Sequence, residues 1–418
     1  MPMIALEQPR ARGLFVLTAH PEGCRVLAER QMERARAALP EPLAAARGKT
    51  ALVIGSTTFG YGSSTAIALR AAGFDKIIGL GYETPPSFRK DKPAMASAGW
   101  YLTHALHESG VVARSYFADG FADATRDRVI GDLQKSGEKI DLLLYSVAAP
   151  RRSHLEEEWT SSLLVIGEPL EAIGLDYKSG EHKPVRVEAA SELQVEHTRR
   201  VMGGDDLDLW ANALLYSGSA AAGMKIASLS YIGPDLEVLR RIYWDGALGA
   251  AKKHIDATTR GLDARLQSLL GGHAFTVMNP AVVTGASVAI PAMTKYIADY
   301  LGVADSGAGS YDDPLEVGIH FARALYGDGE PWKQMLDAEG RLRLDQNELA
   351  PEVQKLIQEQ WQSAEPGPAT GISERGLAVF KREFLHLYGW EVDGVDYSTP
   401  CEWEPPQGER LIDLLEEA

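Results

Sequence analysis

"TALVIGSTTFGYGSSTAIALRAAG" (residues 50–73) decides the fold. A short apolar run ends at Gly55. Gly60 and Gly62 follow, and "SSTAIALRAAG" (63–73) then shows helical periodicity and a glycine stop. Strand, glycine-rich turn and helix in that order open a doubly wound unit. Glycines in such a turn let backbone N–H groups approach a pyrophosphate, and the following helix N-terminus favours its charge. The spacing Gly55-x4-Gly60-x-Gly62 is not the strict GxGxxG fingerprint. Taken alone, the turn reads as a plain tight turn as readily as a cofactor site.

The sequence on either side repeats the alternation. "DKIIGLGYE" (75–83), "VVARSYFAD" (111–119) and "KIDLLLYSVAAP" (139–150) are strand-like, and helical patterns at 97–110 and 122–137 separate them. Apolar strands alternating with helices imply a parallel sheet covered on both faces. The expected class is therefore α/β, a Rossmann-type doubly wound parallel sheet, built as one enlarged unit over 1–418. Within it, 48–150 is the dinucleotide-binding half, and the polar stretch 151–200 reads as an insertion with a small hairpin. Residues 201–300 form a catalytic half, and 301–418 a mostly helical C-terminal part.

Composition narrows the function. The 418 residues carry a net charge of −16, with 45% hydrophobic and 24% charged residues. An acidic chain without a long Lys/Arg run is not expected to bind nucleic acid or an anionic membrane, and it opposes an acidic carrier protein. Cys24 and Cys401 are the two cysteines, far apart and outside any metal-type cluster, which suits a reducing cytoplasm and no metal site. The N-terminus lacks a secretory pattern, and no stretch approaches the roughly 20 apolar residues of a membrane span. His20, in "TAHPEGC", has no second ligand at metal spacing and reads as structural.

Glu83 ends the second strand, 28 positions after Gly55. A carboxylate there can accept hydrogen bonds from an adenosine ribose and would repel a 2′-phosphate, so NADH is the expected cofactor; the alternative is a solvated glutamate at a strand end. The basic "FRKDK" (88–92) leaves NADPH open. Asp119 closes the third strand, where an adenine-edge acceptor belongs. "SVA" (146–148) closes the fourth, lining the ligand crevice.

"YWDGALGAAKKH" (243–254) holds a tyrosine nine residues before a lysine. At about 100° per residue, nine steps rotate about 900°, which sets Tyr243 and Lys252 on opposite sides of one straight helix. "DG" at 245–246 is a turn or cap signal. Tyr243 is therefore expected in the preceding loop or a distorted first turn, with the regular helix starting near Ala247. Such a tyrosine can hydrogen-bond a thioester oxygen as negative charge develops, with the lysine lowering its pKa. The alternative is a core tyrosine beside solvated lysines. Trp244 and Trp100-Tyr101 are candidate walls of an acyl channel.

With these stretches assembled, the chain resembles the trans-2-enoyl thioester reductases of the enlarged short-chain dehydrogenase type. That family includes the bacterial enoyl-acyl-carrier-protein reductase V and the trans-2-enoyl-CoA reductases. The resemblance runs in order through "RGLFVLTAHPEGC" (12–24), "ALVIGSTTFGYG" (51–62), "GYETP" (81–85), "AGWY" (98–101), "DLLLYSVAAPRR" (141–152), "VMGGDDLDLW" (201–210), "SYIGP" (230–234), "IYWDGALGAAKKHID" (242–256), "NPAVVTGASVAIP" (279–291), "LRLDQNEL" (342–349) and "VDGVDYS" (392–398). It implies NADH-dependent reduction of a trans-2-enoyl thioester, on CoA or acyl carrier protein, by a monomer. It gives Tyr243 and Lys252 the catalytic positions, Lys252 also touching cofactor, and Tyr231 a substrate contact. The cofactor contacts it implies are Gly55, Ser56, Thr57, Thr58, Gly60, Tyr61, Gly62, Tyr82, Glu83, Asp119, Gly120, Val147, Ala148, Val282, Val283 and Thr284.

Three departures from the family pattern stand out. Phe59 lengthens the phosphate loop by one residue. "LEVLRR" lengthens the stretch from Tyr231 to Tyr243 by two. Pro280 and Gly285 replace a lysine and a glutamine. A carbonyl reductase on the same scaffold, and a catalytically silent nucleotide-binding protein suggested by Phe59, are the competing expectations.

Overall fold

The computed structural model describes residues 3–12, 15–85, 87–89, 92–95, 98–402 and 410–415. Its centre is an eight-stranded sheet. The strands are β1 (Thr50–Ile54), β2 (Lys76–Gly81), β3 (Arg114–Phe117), β4 (Ile140–Tyr145), β5 (Ala220–Ser230), β6 (His273–Met278), β7 (Leu342–Arg343) and β8 (Leu411–Asp413). They lie in the order β7-β6-β5-β4-β1-β2-β3-β8, and every recorded pairing is parallel. The first strands alternate their side chains between two cores. Ala51 and Val53 enter one face, and Leu52 and Ile54 the other. A parallel sheet buried on both faces needs such continuous apolar runs, and the expected Rossmann-type class is what forms.

Helices α1 (Pro21–Ala38), α2 (Tyr61–Ala72) and α3 (Ala98–Glu108) pack on the first face. Helix α4 (Asp123–Ser136) covers the other face, as do α6 (Asp205–Tyr216) and α8 (Ala247–Leu270). Between β4 and α6 lie two antiparallel hairpins, Arg151–His154 with Glu157–Thr160 and Leu170–Asp176 with Glu181–Val187, and then α5 (Glu192–Met202). The polar stretch was expected to hold one small hairpin. The second hairpin is held by Gly367–Pro368, which pairs with Glu181 and His182 from far along the chain.

The short α7 (Glu237–Tyr243) precedes α8. Beyond β6 come α9 (Met293–Asp305), α10 (Pro314–Tyr326), α11 (Pro351–Gln362) and α12 (Ile372–His386). Here α10 joins the first face, while α9, α11 and α12 build a third core with α7. The C-terminal part also supplies β7 and β8, one at each edge of the sheet. Edge strands of two and three residues leave few unpaired strand N–H and C=O groups. His20 turns out to cap α1, its Nδ1 accepting from the Gly23 N–H at 3.1 Å. Cys24 and Cys401 are both free thiols. No described helix is long and apolar enough to cross a membrane.

Helices α9 and α12 approach closely because each has a glycine at the crossing, Gly302 and Gly376. A Cβ on Gly376 would overlap the Ala298 carbonyl, and one on Gly302 would overlap the Ile372 carbonyl. Both obstacles are backbone and cannot rotate away. Gly376→Ala should therefore destabilise the protein by ~1–3 kcal/mol or more through overpacking. A thermal denaturation scan reads this as a lowered midpoint; an unchanged midpoint would mean that the two helices separate without cost.

Candidate active site

The site forms where the sheet order reverses. Strands β1 and β4 are neighbours, but their following connections leave in opposite directions, which opens a crevice at their carboxyl ends. Gly55 follows β1 with φ +91° and lies against the Ser146 carbonyl, which any Cβ would overlap. A Cβ on Gly62 would overlap the Gly55 carbonyl. These two glycines bring β1, β4 and the start of α2 together. Gly60 differs, since a Cβ there would make only ordinary contact with Thr284. Gly60 is the N-cap of α2 without a side-chain cap, and the first turn of α2 carries no acidic residue. Its backbone N–H groups suit an anion. The residues present therefore fit a dinucleotide pyrophosphate. Phe59 is 4% exposed and packs into the first-face core, so the lengthened loop hides its extra side chain.

The other expected cofactor residues lie along the same edge. Ser56, Thr57 and Thr58 complete the turn after β1, with Ser56 and Thr57 buried. Tyr82 and Glu83 follow β2, Tyr82 66% exposed and Glu83 8% exposed. A Cβ on Gly99 would meet both Thr57 O and the Glu83 carboxylate, so α3 begins tight against this corner. Asp119 follows β3, and its Oδ1 accepts from Phe121 N–H at 2.9 Å. Gly120 O accepts from Trp210 Nε1 at 3.0 Å. The basic stretch 88–92 lies partly outside the described residues.

A cleft of about 180 Å³ collects the rest. Tyr61, Val147, Ala148, Tyr231, Tyr243, Lys252, Val282 and Thr284 line it. The Val283 side chain turns away into the third core, and its N–H donates to Tyr311 Oη at 3.4 Å. Trp100, Tyr101 and Trp244 do not line this cleft. Trp100 stacks on Phe117 in the sheet core, with ring centroids 4.5 Å apart. Trp244 lies under Lys253 and Arg341. The acyl-wall expectation is thereby corrected.

Tyr243 ends its own short helix, with Gly246 capping α8 at Ala247. The start of α8 is where the sequence put it, but Tyr243 is helical, not in a loop. "LEVLRR" builds α7, whose Val238 and Leu239 are buried and anchor it. Lys252 Nζ lies 5.9 Å from the Tyr243 ring centroid and donates to Ser230 Oγ at 3.3 Å. The two helices thus bring together what one straight helix would have separated.

The electrostatics depart from expectation. Burial, with a smaller contribution from Glu348, pushes the Tyr243 hydroxyl well above the usual tyrosine range instead of lowering it. Burial drops Lys252 to about 8, against the opposing pull of Asp256. Desolvation is the largest cause of both shifts.

Sequence reasoning gave no role to Glu348, although "DQNEL" was in view. Glu348 is 0% exposed, and its Oε1 accepts from Tyr231 Oη at 2.8 Å and Tyr296 Oη at 2.7 Å. Its Oε2 accepts from Ala281 N–H at 2.8 Å. A lone glutamate between polar residues carries no periodic signal, and only tertiary packing reveals it. Tyr61 Oη donates to the Pro280 carbonyl, so Pro280 keeps the acceptor this contact needs.

A glycine-rich strand-to-helix turn beside a buried tyrosine and a half-buried lysine defines a Rossmann-type nicotinamide-dependent reductase site. Comparison with known proteins agrees. The family model "Trans-2-enoyl-CoA reductase catalytic region" matches residues 94–316, and "NAD(P)H binding domain of trans-2-enoyl-CoA reductase" matches 6–88. The enoyl-[acyl-carrier-protein] reductase [NADH] of Pseudomonas aeruginosa is 38% identical over 398 residues, 93% of this chain and 95% of that protein. The like-named protein of Coxiella burnetii is 34% identical over 95% of this chain and 96% of its own. The structure of Clostridium acetobutulicum trans-2-enoyl-CoA reductase in complex with NADH superposes with TM-score 0.84 at 28% identity, covering 96% of this chain and 98% of that one. The Treponema denticola enzyme in complex with NAD gives 0.84 at 28% identity, over 97% and 100%. The chain belongs to the trans-2-enoyl-CoA reductase family.

A third model, "Enoyl reductase FAD binding domain", matches 336–401. The residues there do not fit a flavin dinucleotide. Helices α11 and α12 carry Glu352 and Glu374 in their first turns, where a diphosphate would be repelled, and Val353, Ile357, Phe380 and Phe384 are packed in the third core.

The Lys252 shift yields a test. An amine whose folded pKa is lowered loses stability in the charged form, and the fold recovers it as pH rises from about 8 toward the ordinary 10.5. Lys252→Met should melt above the wild type at about pH 7, with the gap narrowing by about pH 9.5. A constant gap, or a lower midpoint at both values, would show that the ammonium is not desolvated.

Proposed function

We propose that the protein reduces the C2=C3 double bond of trans-2-enoyl thioesters at the expense of NADH. The observation that carries this reading is the meeting of Tyr231, Tyr243 and Lys252 with Ala281, Val282 and Thr284 in one cleft beside the α2 N-terminus. Bound NADH would supply the hydride that the substrate β-carbon receives. The chain's residues do the remainder. Tyr243 hydrogen-bonds the thioester oxygen as enolate charge develops there, and the α-carbon then takes a proton from Tyr243 or solvent. A high tyrosine pKa suits a group that must stay protonated until that moment.

Lys252 holds the nicotinamide ribose and supports Tyr243, and Tyr231 contacts the thioester. Gly55, Ser56, Thr57, Thr58, Gly60, Tyr61 and Gly62 cradle the pyrophosphate. Tyr82 and Glu83 meet the adenosine ribose, Asp119 and Gly120 the adenine edge. Val147 and Ala148 line the cofactor crevice, and the backbone of Val282, Val283 and Thr284 faces the nicotinamide. Buried Glu83 favours NADH over NADPH because a 2′-phosphate would enter its field. The charge of −16 favours CoA over an acidic carrier protein. We read 1–418 as a single unit working as a monomer, and its two free thiols suit a reducing cytoplasm.

The test is the loss of NADH absorbance with crotonyl-CoA, for the wild type and Tyr243→Phe. The substitution should lower kcat by ~10²–10³, the usual cost of losing one transition-state donor, while NADH affinity stays within about threefold. Undiminished turnover in the variant would overturn the role of Tyr243. A KM for crotonyl-CoA above that for the crotonyl carrier protein would overturn the preference for CoA.

A further inference from the structure

We propose that the protonation of Glu348 sets which way the Tyr231 hydroxyl points, making Glu348 a positioning residue for the thioester. The proposal rests on the enoyl reductase reading above and adds a residue that the reading does not use.

Hydrogen-bond accounting carries it. A tyrosine hydroxyl has one proton to give. In this structure that proton of Tyr231 goes to Glu348 Oε1, at 2.8 Å, although the Tyr231 ring lines the cleft. A hydroxyl committed in this way cannot also donate to a thioester oxygen. Its direction is reversible only if Glu348 can donate in return.

The other partners of Glu348 are fixed. Ala281 N–H can only donate, and it occupies Oε2 at 2.8 Å. Tyr296 Oη accepts from Gln354 Nε2 at 3.0 Å, which leaves its own proton for Glu348 Oε1 at 2.7 Å. The same Gln354 nitrogen donates to the Glu348 backbone carbonyl at 2.6 Å, which fixes the amide's orientation. Of the three donors, Tyr231 alone can turn around. A proton on Oε1 is then donated to the Tyr231 oxygen, and the Tyr231 proton swings into the cleft. No bond between heavy atoms changes.

The surroundings permit Glu348 to hold that proton near neutrality. Burial raises it to about 7, against the pull of its three donors, and Asp345 in the same loop pushes it further up. The other titratable groups facing it are Tyr61, Tyr243 and Tyr300, whose hydroxyls its charge pushes up. The Tyr231 and Tyr243 rings meet edge to face with centroids 4.8 Å apart, so both hydroxyl-bearing rings form one wall.

The sign follows directly. The competent state is the protonated one, present below the raised pKa and lost as pH rises through it. Glu348→Gln separates this from a structural role. Ala281 N–H draws the amide oxygen to the Oε2 position, which leaves the amide NH2 at the Oε1 position as a donor to Tyr231 at every pH, at the cost of the hydrogen bond that Tyr296 Oη donates there.

The experiment is kcat with saturating NADH and crotonyl-CoA from about pH 6 to about pH 9, for wild type, E348Q, Y231F and the double variant. The wild type should lose about tenfold or more above neutrality, the scale of one lost oxyanion donor. E348Q should lack this fall, whatever its absolute rate, and adding it to Y231F should not alter the profile further. The same alkaline fall in wild type and E348Q would overturn the proposal, as would a wild-type fall retained in Y231F. Should E348Q not fold, the Y231F profile alone decides. Absence of wild-type turnover at every pH would overturn the reductase reading and this proposal with it. Turnover with an unchanged profile overturns this proposal alone.

Discussion

The molecule depends on a close approach of backbones at the carboxyl ends of β1 and β4. Gly55 abuts the Ser146 carbonyl and Gly62 abuts the Gly55 carbonyl, with no room for a side chain at either position. The Ser146 N–H also donates to Ile54 O at 2.8 Å, extending the ladder to the rim. This contact aims the N-terminus of α2 across the switch point. Val147 and Ala148, which follow Ser146 directly, line the cleft together with Thr284. A methyl group at either glycine would force the strands apart or tilt the helix, and the error would spread along α2 into the first-face core.

The C-terminal third acts on the cleft from behind. Segment 280–284 runs as irregular chain after β6, and an irregular buried backbone needs partners for its polar groups. They come from distant elements. Glu348 takes the Ala281 N–H, Tyr311 takes the Val283 N–H, and Tyr61 donates to the Pro280 carbonyl. Tyr311 is itself fixed by Glu383 of α12 at 3.0 Å. Behind them the buried Lys295–Asp299 pair at 2.6 Å, with Ser373 donating to Asp299, locks α9 to α12. A buried pair of this kind adds little net stability, but losing one partner is costly. Its place here ties the helical layer into one arrangement, and that layer in turn holds the segment that faces the cleft.

Much of this was legible from residues alone. Short runs of four to six mostly apolar residues alternating with helical patterns marked the first four strands, because a strand buried on both faces leaves a continuous signal. The Asp245-Gly246 pair gave the start of α8, and the nine-residue separation showed that Tyr243 and Lys252 do not share a straight helix. Other features left no local trace. Strands β7 and β8 are two and three residues long, too short for any period to register. The second hairpin of the insertion borrows its third strand from Gly367–Pro368. Glu348 and Glu383 are single acidic residues in ordinary polar surroundings, and their burial is a property of the assembled fold. The expected depression of the Tyr243 pKa failed because charge type was read without burial, and burial is the larger cause.

That failure has a mechanistic consequence. A tyrosine lowered toward neutrality would spend time as phenolate and would then repel a developing enolate. Burial keeps Tyr243 protonated, and the same burial brings Lys252 down to about 8, so the two groups are driven apart in pKa, each toward its neutral form. In a partly desolvated cleft the energetic gap between neutral and charged states depends on whatever else carries charge nearby. On the proposed reading, an enolate oxygen hydrogen-bonded by Tyr243 would bring negative charge into the cleft that Lys252 also lines. That charge would favour the ammonium and would take the tyrosine hydrogen bond when it is greatest. So read, the pair would be poorly suited to the empty cleft and better suited to the transition state, which is the direction in which stabilisation accelerates a reaction.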